Sequence, residues 1–162
     1  MSAELTISEA IEHLVGMAQA AREAEQRAMA RACAMVRDEA RRLIGHSVDS
    51  EGPFPPWPPL AAATQRERVH EGLPADTPLL RDGALRDSIA IAVDTIGGKT
   101  EGVVGSDSTI AVFQELGTDR IPPRSFLGAA AFRVAEAAAA DVARGVVGGL
   151  HGDAARSGAP EA

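Results

Sequence analysis

Five prolines stand within the seven residues Pro53-Phe54-Pro55-Pro56-Trp57-Pro58-Pro59, and no regular element survives there. Each proline fixes φ and removes a backbone donor, which excludes a helix interior or a central strand. The segment reads as an extended, polyproline-like arm anchored by Phe54 and Trp57. It separates a helical front from a mixed back. At 162 residues the chain suits one domain and is short for two. The expected organisation is one domain over residues 1–150, with an irregular arm over 46–84 and a disordered tail over 151–162.

The front, residues 5–44, has a helical period. Ile7, Ile11, Leu14, Ala18 and Ala21 recur at three- or four-residue steps. Thr6 or Ser8 offers an N-cap, and Glu9 completes a capping box with Thr6. Gly45 supplies the usual C-terminal stop. Alanine favours helix but buries little area, so this stripe needs a partner in the same chain or another. A thin core of this kind points toward an oligomer that shares its core between chains.

Behind the arm, a short helix over 60–68 and a loop over 72–78 are expected. Residues 85–96 then read as a half-buried strand, because Ile89, Ile91 and Val93 alternate with Ala90, Ala92 and Asp94. Gly97-Gly98 turns the chain into a second, shorter strand over 102–106, making a hairpin. Residues 110–116 form a short helix or strand ahead of Gly117. A second long helix is expected from Arg124 to about Val147, stopped by Gly148-Gly149. The fold class is α+β: a long N-terminal helix, a proline-rich arm, a small antiparallel β-sheet and a long C-terminal helix.

A formal charge of −7 disfavours non-specific nucleic-acid binding through a basic patch. The arginines over 22–42 alternate with acids and read as a solvated helix face. Cys33 is the only cysteine, which excludes an intrachain disulfide and suits a reducing compartment. It reads as a small buried residue. No apolar run reaches the ~20 residues of a membrane span. The N-terminus lacks a signal-peptide pattern, so synthesis and retention in the cytosol are expected.

Candidate chemistry is sparse. His13, His46, His70 and His151 have no metal-ligand spacing. Ser88, Ser106 and Ser108 lie near Asp87 and Asp107 without a glycine-serine-glycine elbow. Glu71, Asp76, Asp82, Asp87 and Glu115 read as caps or solubilising charges before they read as an acid–base pair. Gly97-Gly98-Lys99-Thr100 is no phosphate loop, because Val93 stands where the first glycine is required. The expectation is a protein that is not an enzyme and takes no cofactor or metal.

The corner over 110–127 carries most information. Glu115-Leu116-Gly117-Thr118 is followed by Ile121-Pro122-Pro123-Arg124-Ser125-Phe126-Leu127. Gly117 suits a left-handed helix end, and Thr118 or Asp119 a bond into the next turn. Arg124 is unfavourable at a helix start and is expected to reach a carboxylate, Glu115 or one on another chain.

Three blocks together resemble the tail-completion or head–tail joining (neck) family of long-tailed phages, related to Mu-type virion morphogenesis proteins. They are Trp57-Pro58-Pro59-Leu60 with Thr64, the run from Pro78-Leu79 through Asp82-Gly83-Ala84-Leu85 to Ser88-Ile89, and Phe113 to Leu127. Asp82 replaces a usual threonine, Ser125 a usual proline and Leu116 a common phenylalanine. The resemblance implies a non-enzymatic virion protein, assembled in the bacterial host cytoplasm, that forms a ring at the head–tail interface. A hexamer or dodecamer would meet a stopper or adaptor, the tail terminator and the tail tube, and DNA would pass through the lumen without specific binding.

Aromatic residues and arginine dominate interface energies. Phe54, Trp57, Leu60, Glu115, Thr118, Arg120, Arg124 and Phe126 are therefore expected at the subunit interface. On that expectation, Trp57→Ala and Arg124→Ala leave a folded monomer that cannot join. A tail terminator or stopper is the alternative within the class, and a cytosolic module presenting the proline arm is the alternative outside it.

Overall fold

The structure, a computed structural model, describes residues 6–156. Its elements in chain order are α1 (Ile7–Leu43), α2 (Ala62–His70), α3 (Ala84–Asp87), β1 (Ala90–Ile96), β2 (Lys99–Gly105), α4 (Thr109–Leu116) and α5 (Leu127–Arg156). The α+β class is as expected: two long helices and one two-stranded antiparallel sheet.

Helix α1 has 37 residues and runs about 55 Å. Its start is the expected capping box, with Thr6 Oγ1 accepting from Glu9 N at 3.3 Å and Glu9 Oε2 accepting from Thr6 N at 2.8 Å. At its end Gly45 takes φ 93°, and its N–H donates to Pro78 O at 2.8 Å. That bond ties the end of α1 to the loop ahead of α3.

Two sides of α1 are covered. Along one, α5 runs antiparallel, joined by Arg31 to Asp141 at 2.8 Å and by Arg133 to Glu39 at 2.9 Å. The backbones approach closely because the seam is made of small residues. A Cβ on Gly145 would stand 2.6 Å from Ala28 Cβ, and one on Gly149 would overlap Ala24. Along the other side lies the hairpin, paired from Ala90↔Gly105 to Ile96↔Lys99. Gly102 has no Cβ, which lets β2 press against Cys33 and Met29. Near the hairpin turn, Gln26 Nε2 donates to Thr95 Oγ1 at 2.9 Å. An isolated hairpin is marginal in water, so this packing holds the sheet. Cys33 is buried, as expected.

Several boundaries differ from the sequence expectation. Residues 84–87 form α3 and leave the strand to begin at Ala90, because Gly83 takes φ 88° and Asp82 Oδ1 caps Ala84 N at 3.0 Å. The second strand is the equal of the first, seven residues from Lys99. Residues 109–116 are helical, one of the two forms expected there. Helix α5 starts at Leu127, three positions after Arg124, and continues through Gly148-Gly149 to Arg156. Glycine inside a helix costs only about 1 kcal/mol, and close contact at Gly145 and Gly149 offsets it. Residues 157–162 of the expected tail lie outside the described residues. No described helix is long and apolar enough to cross a membrane.

The core lies at the C-terminal end of α1. Ala40, Leu43 and Ile44 meet Trp57, Leu85, Ile89, Ala111 and Phe126 there. An ion network braces the same region: Glu39 is bound by Arg42 at 2.6 Å and by Arg133, and Arg133 also holds Glu51. The Arg42 hydrogen bond holds the Glu39 carboxyl below its ordinary value of 4.5, against the effect of burial and with help from Arg133. A carboxyl depressed in the folded state adds stability that is present above its ordinary value and lost as pH falls through the folded one. Wild type is therefore expected to lose about 1 kcal/mol more than Glu39→Gln between about pH 5 and about pH 3. Parallel losses in urea titrations at the two pH values would show that Glu39 does not contribute this way.

Candidate functional site

The corner after α4 is built around one glycine and one carboxylate. Gly117 ends α4 with φ 76° and donates to Phe113 O. A Cβ there would stand 2.9 Å from both Ile121 O and Pro123 N, backbone that cannot yield, so only glycine fits. Thr118 N donates to Ile121 O at 2.8 Å, and Thr118 Oγ1 accepts from the Arg120 and Ile121 N–H groups. The predicted hydrogen-bonded turn at Thr118 is thus present.

Glu115 is the cap of α5. Its carboxylate accepts from Phe126 N at 2.8 Å, Leu127 N at 2.9 Å and Gly128 N at 2.9 Å, and from the Ser125 hydroxyl. Helix starts leave orphan donors and a partial positive charge, and a carboxylate answers both. Here it comes from the preceding helix, eleven to thirteen residues back for the backbone donors.

Arg124 does not reach Glu115, contrary to expectation. Its guanidinium turns to the proline arm, donating to Pro58 O at 3.0 Å and Pro59 O at 3.4 Å. Prolines in an extended arm leave carbonyls without ladder partners, and Arg124 satisfies two of them. Burial holds the Arg124 guanidinium below its ordinary value, partly offset by the Asp76 carboxylate. Trp57 Nε1 donates to Ser125 O at 3.3 Å, and Trp57 N donates to Val48 O at 2.9 Å. The arm is therefore stitched to the corner from both of its sides.

These bonds revise the expected interface. Phe126 is fully buried, and Trp57 and Arg124 are 8 % and 6 % exposed. All three face the chain's own core. Glu115 is half-buried and spent on capping. Phe54 and Leu60 are half-buried, with Phe54 against Gly128. Only Thr118 and Arg120 are exposed. The expectation that Trp57→Ala and Arg124→Ala leave an intact monomer is replaced by one of weakened folding.

A cavity of about 550 Å³ opens beside this corner, lined among others by Leu60, Leu79, Arg68, Arg81, Asp82 and Arg124. Arg68 is as buried as Trp57; it donates to Pro74 O at 3.0 Å and to Thr77 Oγ1 and Leu80 O. Sequence reading missed it, because a single arginine on a short polar helix carries no signal for burial. It also missed the Ser88–Ser106 hydroxyl contact at 2.6 Å, which closes α3 against the end of β2.

Helix α4 is inverted in polarity. Its Gln114 and Glu115 turn inward, and Gln114 Oε1 is buried without a donor among the described residues. Ile110, Val112, Phe113 and Leu116 are exposed. The run Ile-Ala-Val-Phe-Gln-Glu-Leu held that signal, since its two polar residues fall on the side of buried Ala111. Among the described residues no group of three or more His, Cys, Asp or Glu is placed to hold a metal ion. Comparison of the chain with known protein families, with curated proteins and with solved structures finds no match in any of the three.

Proposed function

We propose that the chain is a structural subunit of the neck of a tailed phage or phage-like particle, forming a ring where head joins tail. One observation carries this reading. The three blocks that resemble the tail-completion family lie far apart in sequence, yet they meet in one knot. Arg124 and Trp57 bind the first block to the third, and Leu85 and Ile89 of the second pack with Trp57 and Phe126.

The apolar outer face of α4 supports the reading further, because a subunit of a larger assembly needs such a face. The net charge of −7 suits a conduit past which DNA slides. Its neighbours would be the stopper or adaptor, the terminator and the tail tube. The structure speaks against the alternative of a module presenting its proline arm. That arm is folded back, with Trp57 buried and the carbonyls of Pro58 and Pro59 engaged, so it offers no free polyproline ligand.

Quantitative mass spectrometry of purified particles tests the proposal. A ring predicts a fixed count of about six or about twelve copies per particle. Particles that contain none of the chain would remove the neck assignment.

A further inference from the structure

We draw no further inference here: the strongest candidate, the exposed apolar face of α4 with the cleft beside it, carries nothing, because Arg81 is paired with Glu67 and Glu71, Arg68 and Arg124 are buried and bonded to the chain's own carbonyls, and nothing in the structure shows what covers that face.

Discussion

Glu115→Ala is expected to cost about 3 kcal/mol of folding stability, although it removes neither a core side chain nor an ion pair. Three backbone N–H groups of the first turn of α5 point at that carboxylate, from Phe126, Leu127 and Gly128. All three bonds are partly shielded from water, so their donors would be left short of acceptors in the variant. The favourable charge at the helix start goes as well. Glu115→Gln should fall between wild type and Ala, since one amide oxygen still accepts while the amide nitrogen faces donors. Urea denaturation reads the series, and a 3 kcal/mol loss lowers Tm by roughly 10 °C in a domain of this size. An Ala variant within about 0.5 kcal/mol of wild type would show that water replaces the carboxylate and that the cap is not holding α5.

The contrast between Glu115 and Thr6 shows which parts of this fold are legible in sequence. The Thr6–Glu9 box is local: donor and acceptor are three residues apart on a regular helix, so spacing alone identifies it. The hairpin at Gly97-Gly98 is local in the same sense. Glu115 caps a helix that begins twelve residues later across a proline corner, and no periodic rule connects them. Arg124 is the same case, since its acceptors are carbonyls 65 and 66 residues away. Opposite charges close in sequence suggested a Glu115–Arg124 pair, but buried backbone groups at the helix start and in the arm claimed both side chains first. The glycines of α5 failed for a related reason. Gly148-Gly149 looks like a stop when the helix is considered alone, whereas Gly145 and Gly149 are the positions where α1 comes too close for a Cβ. Trp57, Arg124 and Phe126, expected at an interface, are buried in the chain itself for a related reason: aromatic and arginine side chains that mark a contact surface also mark a core, and sequence does not say which side of the chain they face.

Phe126→Ala should be the most damaging single change, at about 4 kcal/mol. The ring has no exposure and stands where α1, the proline arm, α3, α4 and α5 converge. Its neighbours cannot collapse into the space, because the arm is fixed by Trp57 and Arg124 and the start of α5 by Glu115. The cost therefore includes the cavity as well as the lost burial. Natural domains hold about 5–15 kcal/mol in total, so this loss takes a large share. Phe126→Leu should cost about 1.5 kcal/mol, since most of the volume is kept. Trp57 is the only tryptophan and there is no tyrosine, so intrinsic fluorescence reports directly on the arm. In Phe126→Ala its emission should shift to the red at denaturant concentrations where wild type is still native. Phe113→Ala, on the outer face of α4, should leave both the emission and the stability within about 0.5 kcal/mol of wild type. Equal stability losses in the two variants would mean that α4 does not present the face described. The pair also decides how loss of head–tail joining must be interpreted: in Phe126→Ala or Trp57→Ala it reports a loosened fold, and only in a variant as stable as Phe113→Ala does it report a lost contact between subunits.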